Sequence, residues 1–268
     1  MLVLTLLALF YFGACVGSFL NVVTLRLPKG ESMNGRSHCP HCGHKLGFFE
    51  LFPLFSFLFL RGKCKNCAAT IHRRYFYIEV LTGLLTILTY SFFPAYNFYQ
   101  ILYLAHALII VYALVPIFLI DLEHYLVLDS VIFWSAILTA GCSGGLDYLS
   151  GNYGLHSILI NGLLSGIILS TFFLLQYFLS RGKWIGLGDV KLAIFLGIAT
   201  PYPSIVATIL LAYAIGAVVG IFMLASKRKH LTSSVPFGTF LSVACLISLY
   251  YGDWLSGLYL HAIGIYSK

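Results

Sequence analysis

Two aspartates that are remote in the sequence, Asp121 and Asp189, lie at the ends of apolar segments. Asp121 follows the apolar run at 115–120, and Asp189 follows a turn that contains Gly186 and Gly188. Ionisable groups beside hydrocarbon are costly and usually functional. Two neighbouring carboxylates can share one proton, so the ionised one activates water while the protonated one polarises a peptide carbonyl. The pair therefore predicts aspartic-protease chemistry, and the two glycines would let an extended substrate approach the backbone.

Each aspartate also has a structural explanation. Asp is a preferred helix N-cap, which suits Asp189, and Asp121 could cap the next helix at the membrane surface. A catalytic role is favoured over helix capping because both aspartates fall at the same predicted membrane face, in a chain with only nine acidic residues. Asp129 would lie about 12 Å from Asp121 along one helix, too far to share a proton. We therefore predict that Asp129 supports the site by orienting groups in it. The other predicted supporting residues are Gly186, Gly188 and Lys191.

Four cysteines have the spacing of a metal site. Cys39 and Cys42 form one C-x2-C pair, and Cys64 and Cys67 form a second. Zinc takes four tetrahedral thiolates, and each two-residue gap lets one turn supply two of them. Disulfide bonds are the alternative, but the basic charge of this loop predicts that it lies in the cytoplasm, which is reducing. A site with four protein ligands is closed, so we predict structural zinc.

The composition places these motifs in a membrane protein. Hydrophobic residues make up 60% of the chain and charged residues 9%, whereas soluble domains carry about 25% charged residues. This excludes a water-soluble globular enzyme, a disordered chain and a disulfide-rich secreted module. The predicted fold is an all-α integral membrane protein with about eight transmembrane helices and a small zinc-binding loop domain. The apolar runs lie at about 2–25, 75–93, 98–120, 125–141, 155–179, 190–203, 204–225 and 235–260.

The basic residues predict the orientation of these spans. The segment from Arg26 to Arg74 holds nine basic and two acidic residues, and nine minus two equals the net charge of +7 of the whole chain. Nucleic-acid binding is the alternative, but Lys and Arg between two spans favour a cytoplasmic loop. The other inside loops then fall at 121–124, 181–189 and 226–234, and the loop at 142–154 lies outside.

In this order and spacing, the motifs resemble those of the bacterial type IV prepilin leader peptidases, which are GxGD aspartic proteases. The resemblance covers most of the chain. It comprises Gly17-Ser18-Phe19-Leu20-Asn21 with Arg26, the paired CxxC motifs, Ile120-Asp121-Leu122 with Asp129, and Gly186-Leu187-Gly188-Asp189 with Lys191. Two departures, Leu128 and Phe76 where the family often has Pro, do not touch the proposed aspartate pair.

The resemblance implies a membrane endopeptidase that removes the leader of prepilins or pseudopilins after a glycine at the cytoplasmic face. It implies that Asp121 and Asp189 are catalytic. It also implies N-methylation of the new N-terminus with S-adenosylmethionine, for which the residues Gly17, Ser18, Asn21 and Arg26 are the candidate binding set. The alternative for Gly17 and Ser18 is close helix packing, and for Asn21 it is an interhelical hydrogen bond.

The predicted organisation has three parts: a first transmembrane helix at 1–25, a zinc loop domain at 26–74 associated with methyl transfer, and a peptidase membrane domain at 75–268. The predicted setting is the bacterial inner membrane, with a lipid bilayer and prepilins as partners and no nucleic acid. The sequence does not fix the oligomeric state. Two other functions stay open: a zinc-stabilised transporter or channel that uses the aspartates as a proton relay, and a membrane-anchored, RING-like zinc adaptor.

Overall fold

A computed structural model describes residues 2–225 and 236–262. Within these ranges the regular structure is helical, apart from two isolated β-bridges in the cysteine-rich loop. The α-helices are α1 Leu2–Arg26, α2 Phe55–Phe59, α3 Arg74–Phe92, α4 Phe98–His124, α5 Asp129–Ser150, α6 Ile158–Ser180, α7 Leu187–Ala199, α8 Ser204–Ala225 and α9 Phe237–Ala262.

The all-helical membrane architecture is confirmed, with fewer full spans than predicted. Each of the eight apolar segments corresponds to a helix, but six helices of the described chain are long and apolar enough to cross a membrane, namely α1, α3, α4, α6, α8 and α9. Helix α7 has 13 residues, which cover about 20 Å of a hydrocarbon core of roughly 30 Å. Helix α5 is long enough but less apolar, and it buries Ser135, Thr139, Ser143 and Asp147 at four-residue spacing.

Three predicted boundaries need correction. Helix α5 continues to Ser150 through most of the loop that was predicted at 142–154. Asp121 lies inside the last turn of α4, which ends at His124, so the link to α5 is 125–128 rather than the predicted 121–124. The predicted inside loop at 226–234 lies outside the described residues.

The chain divides into two compact units, one up to Phe92 and one from Phe93 onward. In the first unit, α1 and α3 pack at very short range. A methyl group added at Gly17 would lie 2.0 Å from the Thr82 hydroxyl oxygen, and one added at Gly13 would lie 2.1 Å from that of Thr86. Small residues allow membrane helices this close approach, so the two glycines hold α1 against α3.

In the second unit, α7 lies at the centre of the core. Its residues Leu192, Phe195 and Leu196 are fully buried. Glycines let α6 approach its backbone, because a methyl group at Gly197 would lie 2.0 Å from the backbone nitrogen of Gly166. The short helix is therefore enclosed by its neighbours, and its position, including that of Asp189 in its first turn, is set by this contact.

The contact between α6 and α7 gives a stability prediction. Gly197→Ala should lower the free energy of unfolding by about 3 kcal/mol, at the upper end of overpacking effects, because backbone atoms cannot move aside as a flexible side chain can. Gly220→Ala in α8 is the matched control, since nothing lies within 4 Å of its added methyl group. Thermal unfolding in detergent measures both, and equal melting temperatures for the two variants would contradict the prediction.

Candidate active site

A cavity of about 860 Å³ opens at one end of the second unit. Its wall combines the end of α4, the link 125–128, the start of α7 and the start of α9. Both Asp121 and Asp189 line it, together with Gly186 and Gly188. The remaining wall includes the aromatic residues Tyr125, Trp184, Tyr213, Phe237 and Phe240. The fold therefore brings the two aspartates, 68 residues apart in the sequence, into one cavity.

Asp121 is held by the N-terminus of α9. Its Oδ2 atom accepts hydrogen bonds from the Thr239 backbone N–H at 2.5 Å and from the Thr239 hydroxyl at 3.0 Å. Thr239 is the third residue of α9, so its N–H is one of those left unpaired at a helix start. Only 4% of Asp121 is exposed. The helix end supplies the hydrogen bonds and partial positive charge that a buried carboxylate needs.

Asp189 lies in the first turn of α7, beside the N-terminus of its own helix. Its Oδ2 atom accepts a hydrogen bond from the Gly186 backbone N–H at 3.3 Å. It is 8% exposed and interacts electrostatically with Asp121. Asp189 thus lies at the start of a helix as predicted, but the N-cap itself is Gly186 and Asp189 is the third residue of α7. The Asp189 carboxylate thus helps to cap α7, and at the same position it lines the cavity that Asp121 also lines.

Val127 explains how the two carboxylates come together. A methyl group at Gly188 would lie 2.9 Å from the Val127 Cβ atom, and one at Gly238 would lie 3.4 Å from a Val127 methyl carbon and 3.0 Å from Asp121 Oδ2. Glycine at both positions lets the link 125–128 fit between the starts of α7 and α9. Gly188 therefore allows a close approach by the Val127 side chain, and the predicted approach of a substrate to this glycine stays a prediction.

Asp129 and Lys191 pair with each other. Lys191 Nζ lies 2.6 Å from Asp129 Oδ2, and more than half of each side chain is exposed. Neither residue lines the cavity. This ion pair joins the start of α5 to α7, and an exposed pair contributes at most about 1 kcal/mol. Their supporting role stays a prediction, and the geometry limits it to positioning the helices.

The sequence reasoning missed Val127, Gly238 and Thr239. The last two belong to the run Pro236-Phe237-Gly238-Thr239, which opens α9. A proline followed by small residues at the start of an apolar helix is a recognisable helix start. Nothing in that pattern indicates a distant carboxylate, so the partner of Asp121 becomes visible only in the fold.

The four predicted cysteines form one cluster in the first unit. Their sulfur atoms all lie within 4.8 Å of one another, with Cys39 and Cys67 separated by 3.9 Å and Cys42 and Cys64 by 4.0 Å. Tetrahedral zinc with Zn–S bonds of about 2.3 Å needs sulfur separations of about 3.8 Å. The cluster therefore has the composition and size of a four-thiolate metal site.

Two matching turns build this cluster. In the first turn the Gly43 N–H donates to the Cys39 carbonyl, and in the second the Ala68 N–H donates to the Cys64 carbonyl, each at 2.9 Å. Gly43 and Ala68 both adopt positive φ values, 69° and 57°. Each turn thus aims two thiols at a common point.

The four thiols differ in acidity. A hydrogen bond from the His44 backbone lowers the pKa of Cys42 to about 7. For Cys67, a backbone hydrogen bond from Ala69 lowers the pKa, but burial and the neighbouring thiols outweigh it and raise the pKa to about 11. Backbone N–H groups directed at sulfur favour the thiolate form that binds metal.

The candidate residues for the methyl donor make other contacts. Gly17 is in contact with α3, as described above, and Ser18 hydrogen-bonds Glu79. The Asn21 side-chain amide donates to the Tyr75 carbonyl at 3.2 Å. Arg26 donates to two carbonyls of the following loop, at Ser32 and Met33. The four residues therefore contribute to helix packing and to the shape of the loop, and their role in binding S-adenosylmethionine stays a prediction.

Comparison with known proteins decides the family. Residues 11–93 match the profile described as the bacterial peptidase A24 N-terminal domain, and residues 108–221 match that of the type IV leader peptidase family. A prepilin leader peptidase/N-methyltransferase from Pseudomonas aeruginosa is 31% identical over 94% of this chain and 92% of its own length. The chain belongs to the type IV leader peptidase family.

Other members of the family give the same result. A protein of the same description from Myxococcus xanthus is 35% identical over 86% of this chain and 68% of its own length. One from Aeromonas hydrophila is 30% identical over 94% of this chain and 92% of its own length. No solved structure matches the chain significantly. The leader peptidase profile contains both cavity aspartates, and these relatives give the transporter and adaptor alternatives no support.

Proposed function

We propose that this protein is a membrane aspartic endopeptidase that removes the leader peptide from type IV prepilins or pseudopilins. The observation that carries the proposal is the placement of Asp121 and Asp189 in one cavity, each at the N-terminus of a helix. The relatives named as prepilin leader peptidases support the substrate class.

The hydrogen bonds suggest separate roles for the two carboxylates. Asp121 accepts two hydrogen bonds, which favour a charged carboxylate, so we assign it to take a proton from water. Asp189 accepts one longer bond and carries the shared proton, which it donates to the oxygen of the scissile carbonyl. Water adds to the carbonyl carbon as Asp121 takes its proton. When the C–N bond breaks, the leaving amine takes that proton from Asp121, and a hydroxyl of the tetrahedral intermediate returns a proton to Asp189, which restores the pair.

The cavity wall is consistent with such a substrate. A prepilin carries a short polar leader followed by an apolar helix in the bilayer, so its scissile bond lies at the membrane surface. Aromatic side chains such as Trp184, Tyr213 and Phe240 border the cavity and offer apolar surface to residues that flank the bond. We assign cleavage to the cytoplasmic face of the bacterial inner membrane, and the basic charge of the loops supports this assignment.

The direct test uses the purified full-length protein with a prepilin in detergent or in vesicles. Mass spectrometry should show release of the leader with a single cut after glycine. Cleavage should resist serine-protease and metalloprotease inhibitors, because neither of those chemistries is involved. Failure to cut any of several prepilins from the host would reject the proposal.

The fit at Val127 gives a further prediction. Gly188→Ala should lower the cleavage rate about 10²-fold, since a displacement of about 1 Å between reacting groups has that effect. The added methyl group would push the link 125–128 away from α7 and so separate Asp189 from Asp121. The rate of leader release, measured at saturating substrate, checks this.

The control for that variant is Gly141→Ala in α5, where nothing lies within 4 Å of the added methyl group. It makes the same chemical change in the same unit, and the cleavage rate should stay at the wild-type value. Equal rates in the two variants would show that the contact with Val127 does not position the carboxylates.

We also propose structural zinc in the four-cysteine cluster and N-methylation of the cleaved product from S-adenosylmethionine. The sulfur separations support zinc, and the names of the relatives support methyl transfer. Because Gly17 and Asn21 contact α3, we assign no binding role to individual residues. Labelled methyl donor supplied with cleaved pilin tests the second activity, and an unlabelled product would exclude it.

A further inference from the structure

An apolar segment of the first unit, residues 48–60, is turned outward. Eleven of its thirteen residues are apolar, the exceptions being Glu50 and Ser56. Phe49 and Phe59 are each 84% exposed. Phe48, Phe55 and Leu58 are also more than half exposed. An apolar run of 10–14 residues is typical of re-entrant or interfacial segments as well as of buried helices.

Aromatic contacts with α1 show that this segment packs along the side of that helix and does not lie beyond its end. The rings of Phe52 and Phe55 lie 6.3 and 6.0 Å from the ring of Tyr11 in α1. Tyr11 precedes Asn21 by ten residues, or about 15 Å of helix. Asn21 is level with the start of α3, because its amide bonds the Tyr75 carbonyl. The two phenylalanines therefore lie well inside the span of α1.

The tip of the segment is a tight turn that satisfies its backbone without water. Leu54 has φ 65° and ψ −52°, and the Phe55 N–H donates to the Pro53 carbonyl at 2.7 Å, as in a γ-turn. The Leu54 N–H donates to Glu79 Oε2 at 2.8 Å. Glu79 belongs to α3 and is buried.

Hydrogen bonding of this kind suits a lipid environment, where each backbone polar group needs a partner within the protein. After the turn, α2 pairs its own backbone, with the Leu58 N–H on the Leu54 carbonyl and the Leu60 N–H on the Ser56 carbonyl, each at 3.0 Å. In α2 the backbone groups therefore hydrogen-bond within the helix, while the phenyl rings point outward.

Polar groups mark both ends of the segment. Glu50, near its start, accepts hydrogen bonds from the Gly47 N–H at 2.6 Å and from His44 at 3.2 Å. Basic residues flank it on both sides, namely Lys45, Arg61, Lys63 and Lys65. Lys and Arg beside an apolar segment are attracted to anionic lipid headgroups. The apolar rings would therefore lie among lipid acyl chains, and the basic residues on both sides would lie at the level of the lipid headgroups.

We propose that residues 48–60 form a re-entrant loop that enters the bilayer beside α1 and α3, on the side where the four-cysteine cluster lies. Its outward rings contact lipid acyl chains, in continuity with the lipid-facing residues Phe12 and Phe19 of α1, which are also more than half exposed. The loop thereby anchors the cysteine cluster at the membrane surface. This inference does not depend on the proposed peptidase activity.

The test measures where one indole lies in full-length protein reconstituted into vesicles of phosphatidylcholine and phosphatidylglycerol. The three native tryptophans are replaced by phenylalanine, and Phe59→Trp or Phe49→Trp supplies a single probe. Brominated lipid chains should remove most of the emission from either position, while aqueous iodide should have little effect. Retained metal content in each variant shows that the first unit is folded.

Arg36→Trp is the matched control, because Arg36 is exposed in the same loop and outside the apolar segment. Its emission should respond to iodide and not to brominated lipid. Iodide quenching at positions 49 and 59 would place the segment in water and overturn the proposal. Insensitivity to both quenchers would also overturn it, since the rings would then be covered by protein, either the second unit or another copy.

Discussion

Asp189→Asn should abolish leader cleavage, lowering the rate by at least about 10²–10⁴-fold, the range contributed by one acid–base group. The amide has the size of the carboxylate but cannot hold the shared proton. Asp121→Asn should have an equal effect, because the amide cannot take a proton from water. The measurement is single-turnover release of the leader from a prepilin in detergent.

Asp253→Asn provides the control for these variants. Asp253 belongs to the same unit, is exposed, and accepts a hydrogen bond from the Ser204 hydroxyl at 2.7 Å, which an Asn side-chain oxygen can also accept. Its cleavage rate should match the wild type. Unfolding temperatures must stay similar across all three variants. Substantial cleavage by either active-site variant would show that the two carboxylates do not act as a pair.

Cys39→Ser should cause the largest loss of order in the first unit. Structural zinc in small peptides contributes about 10–16 kcal/mol of apparent binding energy, and a hydroxyl is a poor replacement for a thiolate. We expect the variant to lose most of its zinc and the loop at 26–74 to become sensitive to proteases. Elemental analysis of purified protein measures the metal directly.

Cys15→Ser makes the same substitution in α1, at a free cysteine outside the cluster. It should retain about one zinc per chain and resist proteolysis as the wild type does. A strong chelator should reproduce the Cys39→Ser behaviour in wild-type protein. Equal zinc content in both serine variants, or a wild-type protein without metal, would exclude the zinc site.

The sequence could predict what depends on short spacing and on composition. The cysteine cluster was predictable because each turn needs only four residues, and the membrane helices because apolar runs are long. The helix count was less predictable, since the 13 residues of α7 are as apolar as a span but are shorter than one and mostly buried in protein. A sequence pattern does not distinguish these two apolar environments.

Contacts across long sequence distances could not be predicted. The convergence of Asp121 and Asp189 was a hypothesis from their common membrane face. The roles of Thr239 and Gly238 depend on how α9 packs against α4, which no local pattern encodes. For Gly17, small size was compatible with a ligand or with a helix, and only the fold shows that Thr82 of α3 lies against it.

The hydrogen bonds between Asp121 and Thr239 join residues 118 positions apart. The ribosome must therefore synthesise α4 through α9 before the first carboxylate has its partner. During insertion into the membrane, the environment of Asp121 is therefore complete only after α9 has packed beside α4.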